Sequence, residues 1–96
     1  MMSNFTKGEW FAKREGQSTV YIECRIGGGW LQEVAACGPT ANGSEEQEAN
    51  AKLIAAAPDL LEALKMLETT CGDGLEIDHP IRVYARSVIS KATTIQ

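Results

Sequence analysis

From Thr19 to Ile26 polar and apolar side chains alternate: Val20, Ile22, Cys24 and Ile26 against Thr19, Tyr21, Glu23 and Arg25. A period of two is that of a half-buried strand. Gly27, Gly28 and Gly29 follow, and glycines permit the positive φ angles of a tight reversal. Trp30 to Cys37 then predicts a further strand, with Trp30, Val34 and Ala36 on its buried face. Upstream, Glu9 to Arg14 has a shorter strand pattern, and Glu15-Gly16-Gln17-Ser18 has the composition of a turn. Connections this short exclude parallel crossovers. The prediction is a three-stranded antiparallel meander over about residues 9–37.

At Pro39 the period changes from two to 3.6. Pro39 to Ser44 is a polar loop, and Ser44 followed by Gln47 has capping-box spacing. Glu45, Glu46 and Glu48 suit the positive end of a helix dipole. Leu53, Ala57, Leu60, Leu64 and Leu67, joined by Ile54 and Leu61, then predict an apolar helix face that keeps its phase across Pro58. Proline there removes the N–H that would bond the Ile54 carbonyl. The expectation is a kinked helix, or two nearly end to end, over about 45–71, stopping at Cys71-Gly72.

Asp78 as N-cap and Pro80 in the first turn predict a last helix over about 79–92. Ile81, Tyr84, Ala85, Val88 and Ala92 share its apolar face, and Arg82, Arg86 and Lys91 lie away from it. Thr93 to Gln96 are expected to fray. The order of elements is α+β in class: a meander, a Pro-kinked helix and a C-terminal helix in one small domain over residues 1–96.

Charge narrows the function. Nine basic residues face 13 acidic ones, a net charge of −4, which argues against direct nucleic-acid binding. The excess lies in residues 39–72, with two basic and six acidic side chains. No stretch approaches the ~20 apolar residues of a membrane span, and Met1 to Thr6 show no secretory signal. Cys24, Cys37 and Cys71 form no Cys-x-x-Cys pair, which suits reduced thiols in a cytoplasm.

The residues offer no catalytic constellation. His79 is the single histidine, and a surface or capping role fits its place before Pro80. No metal-ligand spacing occurs, so neither a metal nor another cofactor is expected. The chain is predicted not to be an enzyme. Two features remain as candidate binding sites. Gly27 to Gly29 fit a hairpin turn, but with Arg25 and Trp30 they also suit a small phosphate-and-base pocket. Tyr21, Glu23 and Arg25 fall on the wet face of the sheet. Trp10 and Trp30 fill a core or mark a protomer interface or ligand platform. The candidate ligand or partner residues are Tyr21, Arg25, Gly27, Gly28, Gly29 and Trp30.

Ala49-Asn50-Ala51-Lys52-Leu53-Ile54-Ala55-Ala56-Ala57-Pro58-Asp59-Leu60-Leu61-Glu62-Ala63-Leu64 resembles a signature of small tailed-phage and prophage proteins. Thr6-Lys7-Gly8-Glu9-Trp10 is similar to their Thr-Pro-Gly-Pro-Trp opening, with Lys7 and Glu9 replacing both prolines. More loosely, the set includes the phage early-region ead-like proteins. The resemblance implies a phage accessory protein in the cytoplasm of the infected bacterial host cell. It further implies inhibition of a bacterial defence system by binding, either to a host effector protein or to a nucleotide immune signal. The alternative is a small regulator of phage or host transcription acting through protein–protein contacts. No functional residue carries over from the resemblance. The small size and the aromatic sheet add the expectation of a homo-oligomer.

Overall fold

A computed structural model describes residues 5–70 and 74–93. Three strands, β1 (Glu9–Glu15), β2 (Thr19–Arg25) and β3 (Leu31–Cys37), form an antiparallel sheet in that order. Two helices follow, α1 (Ser44–Thr70) and α2 (Pro80–Thr93). The fold is α+β, as the periodicities predict. The chain divides within α1, at Pro58, into two compact units: residues 5–58, and residues 59 onward.

The first unit is built on β2. Its alternation sends Val20, Ile22 and Cys24 to one face, where each is buried. Ala51 of α1 closes over Val20 and Ile22, with Ile54, Ala55, Ala12 and Trp10 packed around them. Full burial of a side chain such as Ile22 is worth roughly 1.5–3 kcal/mol. On β3 the predicted alternation fails. The ladder shifts between Ile22 and Glu23, pairing Ile22 with Ala35 but Glu23 with Glu33, so that Val34 is the extra residue of a bulge. Beyond it, Ala35 and Cys37 pack on the core and Ala36 turns to solvent. Trp30, expected on the buried face, is exposed.

On α1 one alternative is decided and two expectations are corrected. Helical structure runs through Pro58 without a break, so the two-helix alternative is not adopted. The helix meets the sheet along Gln47, Ala51, Ile54 and Ala55, while Leu53, Leu60 and Leu67 of the predicted apolar face are exposed. Small alanines let the helix approach the sheet closely, which a line of leucines would prevent. Gln47 takes no part in a capping box. Its side chain is buried against the sheet, where Nε2 donates to the Ser18 and Cys37 carbonyls, both at 2.9 Å.

In the second unit the last turn of α1 and the start of α2 are joined through ions. Arg82 Nε and Arg86 Nη1 both donate to Glu68 Oε1, at 3.1 and 2.9 Å. Arg82 also holds the Leu75 carbonyl at 3.2 Å, and Arg86 the Ile77 carbonyl. The expectation that α2 buries Ile81 and Tyr84 is therefore overturned: both are exposed, and the arginine side faces α1. His79 replaces Asp78 as the N-cap, its Nδ1 accepting from the Ile81 N–H at 3.2 Å. The expected helix stop at Cys71-Gly72 and the fraying of residues 94–96 lie outside the described residues.

Candidate functional site

Arg25, Gly27, Gly28, Gly29 and Trp30 of the candidate site gather at one end of the sheet, where β2 turns into β3. Gly27 to Gly29 form a single 3-10 turn, closed by the Ile26 N–H donating to the Trp30 carbonyl at 3.0 Å. Gly28 has φ +78°, and a Cβ there would stand 3.1 Å from the Trp30 ring. The indole thus lies against the bare backbone of the turn, and yet it remains 71% exposed. Leu31 beside it is also exposed.

Arg25 is on the same end of the sheet, paired directly with Glu9 and Leu31 in the two ladders. Its guanidinium is engaged: Nε donates to Glu9 Oε1 at 3.1 Å, and the group stacks 4.6 Å from the Phe11 ring centroid. A phosphate at the glycine turn would have to compete with the Glu9 carboxylate for this cation. Tyr21 lies further along the outer face, half-buried, opposite Lys13 and Ala36. The turn, Arg25 and Trp30 therefore come together, and Tyr21 stands two residues away from Glu23 along β2.

Between Tyr21 and Arg25 the outer face carries a strained pair. Glu23 pairs directly with Glu33 across the β2–β3 ladder, and Glu23 Oε1 is buried with no hydrogen-bond partner among the described residues. Like charges directly opposite one another oppose sheet pairing.

The opening segment is tied to this end of the sheet. Trp10 Nε1 donates to the Thr6 carbonyl at 3.0 Å, and its ring meets Phe5 edge-on at 5.9 Å. Gln32 Nε2 donates to Thr6 Oγ1 at 3.1 Å, and the Cys24 thiol donates to the Lys7 carbonyl at 3.4 Å. Gly8, at φ +133°, passes so close to β2 that a Cβ would run into the Arg25 carbonyl and stand 2.8 Å from Cys24 Sγ. The Thr-x-Gly-x-Trp pattern thus has a structural cause: a threonine to bond, a glycine to squeeze past and a tryptophan to staple. Trp10 fills the core margin, as the first of its two expected roles requires.

Two arrangements escape sequence reasoning. Gln47 looks like a capping residue, and nothing local marks it as the polar link between helix and sheet. Glu68 looks like one more solvated acid on α1. In the structure Arg86, hydrogen-bonded to it, holds its carboxyl below the usual carboxylate value, opposed by partial burial and reinforced by Arg82. At the other end of α1 Asn42, and then Thr40, lower Glu46 in the same direction through hydrogen bonds. Among the described residues no group of three His, Cys, Asp or Glu side chains is placed to hold a metal ion. Among them too, no helix is long and apolar enough to cross a membrane.

No curated protein and no solved structure matches the chain. A family model does, described as Salmonella phage P22 protein Y8K6, and the match runs over residues 1–96. A match over the whole chain agrees with the phage resemblance of residues 6–64 and extends it to α2. This chain belongs to the phage P22 Y8K6 protein family.

Proposed function

We propose that this phage protein is a non-enzymatic accessory factor that inhibits a bacterial defence system by binding a host protein. Membership of a phage protein family supports the phage accessory role, and so does the likeness of residues 49–64 to a signature of small tailed-phage and prophage proteins. The observation that favours a protein target over a nucleotide signal is Trp30. Its ring lies 71% exposed against the Gly28 backbone, next to exposed Leu31, while the nearby Arg25 is already paired with Glu9. A large aromatic side chain held on a preformed turn is the kind of anchor that carries binding energy in protein interfaces. A nucleotide pocket at the same place would need a free cation.

Phage plating on host strains carrying single defence systems tests the proposal, with the protein expressed from a plasmid. Wild-type protein restores plating on at least one strain, and Trp30→Ala, which removes an exposed ring and leaves the fold intact, loses that restoration. Failure to restore plating on any strain removes the anti-defence role. Thermal melting with cyclic oligonucleotides and ADP-ribose-derived signals separates the two targets. A bound ligand at a hundred times its dissociation constant adds about 2.7 kcal/mol, and such a shift would move the target from a protein to a nucleotide.

A further inference from the structure

We infer that the helical unit formed by residues 59–70 of α1 and by α2 associates with the same unit of a second copy of this chain. None of its described residues is buried, and Glu68, Arg82 and Arg86 join its helices through hydrogen-bonded ion pairs. Ion pairs orient two helices but remove little hydrocarbon from water. The unit is close in size to the ~40 residues below which a fold seldom holds together without a disulfide, a metal or association. Meanwhile the hydrocarbon is on the outside. Leu64, Leu67, Leu75, Ile81 and Ala85, together with Glu68 and Arg82, line an open groove of about 220 Å³ within the unit. Leu67 is 56% exposed, Ile81 64% and Tyr84 72%.

The size and charge of this surface favour a second copy as the occupant. With Leu60, these side chains offer apolar area on the order of 600 Å², and homodimer interfaces are about 65% apolar. That matches the roughly 800 Å² per partner of a standard stable interface. The described residues of the unit carry five acidic and four basic side chains, a net charge of −1 within a chain of net charge −4. Two such units approach without the repulsion that a single-sign surface would impose. Side chains at steps of three and four on both helices then interleave as in a four-helix bundle. The surface is separate from Trp30 in sequence and does not depend on the identity of the target.

Light scattering of the full chain at micromolar concentration tests this. The expected mass is twice the chain mass of 10.4 kDa. The double variant Leu67→Glu with Ile81→Glu scatters as a single chain, while Trp30→Glu keeps the doubled mass. A single-chain mass for the wild type overturns the inference, and so does a doubled mass for the helix variant. Hydrogen exchange on the wild type covers the case in which the double variant does not fold. Protection of amides in residues 74–93 rises with protein concentration if the inference holds; a rise confined to β1, β2 or β3 overturns it.

Discussion

Gln47 Oε1 accepts a hydrogen bond from Arg14 Nη2 at 2.9 Å, joining the first turn of α1 to the last residues of β1. The same guanidinium holds Glu48 through Nε at 2.9 Å. With both amide hydrogens of Gln47 committed to Ser18 and Cys37, one buried side chain ties β1, the β1–β2 turn and the end of β3 to one helix. A buried polar group is stabilising only while every partner is present. Here each one is.

Gln47→Leu keeps the volume and removes the bonds. It leaves two carbonyl oxygens and a guanidinium nitrogen unpartnered, at a cost of about 2–4 kcal/mol. For a domain of this size that lowers the midpoint by more than about 10 °C, measured by circular dichroism. Gln47→Glu is at least as damaging, because a carboxylate presents lone pairs to two carbonyls. A harmless Gln47→Glu would show that the amide donates to neither.

Gly8→Ala adds one methyl group where the Arg25 carbonyl and Cys24 Sγ already stand, at a φ of +133°. Strain and overpacking together cost about 3 kcal/mol or more. Urea unfolding followed through Trp10 reads this directly. Gly16→Ala serves as the comparison, since its φ of +67° is strained but nothing stands within 4 Å. A Gly8→Ala loss no greater than that of Gly16→Ala would remove the close approach as the cause.

Glu33→Lys stabilises the sheet. It turns a like-charge pair across β2 and β3 into an opposite one and gives Glu23 a partner. The expected gain is about 0.5–1 kcal/mol, seen as a higher midpoint in urea. An unchanged or lower midpoint means that the two carboxylates do not repel in solution.

Acid loosens the helical unit through Glu68. Its carboxyl is held below the ordinary value by Arg86 and Arg82. A depressed value in the folded state contributes stability that is present above the ordinary carboxylate value and lost as pH falls through the folded one. Helix signal should therefore drop on acidification from that ordinary value downward, and Glu68→Gln should flatten the drop while lowering the starting stability at neutral pH. Identical acid profiles for the two proteins would place the sensitivity elsewhere.

The sheet was legible because β2 alternates over seven residues with a core on one side only. Strand order followed from turns too short to cross over. The bulge at Val34 was not legible: Trp30, Val34 and Ala36 keep perfect parity along the chain, and only the ladder with β2 reveals the extra residue. On α1 a leucine stripe outweighed an alanine line in any hydrophobic count, although close packing favoured the alanines. Gln47 failed for a similar reason, since capping spacing is a local signal and its partners lie ten to 33 residues away. At the candidate site, proximity of Arg25, the glycine turn and Trp30 was readable from one hairpin. The pairing of Arg25 with Glu9 was hidden, because it depends on the register of a second strand.

The bonds of Gln47 also impose an order in time. As the chain leaves the ribosome, all three strands are complete at Cys37, yet the Ser18 and Cys37 carbonyls stay with water until residue 47 emerges. The Thr6 and Lys7 anchors likewise wait for Gln32 and Cys24. Closure over such separations is slow relative to local helix formation. The first unit therefore closes in stages, the Thr6 and Lys7 anchors before the helix and the Gln47 bonds with the Ala51, Ile54 and Ala55 face after it.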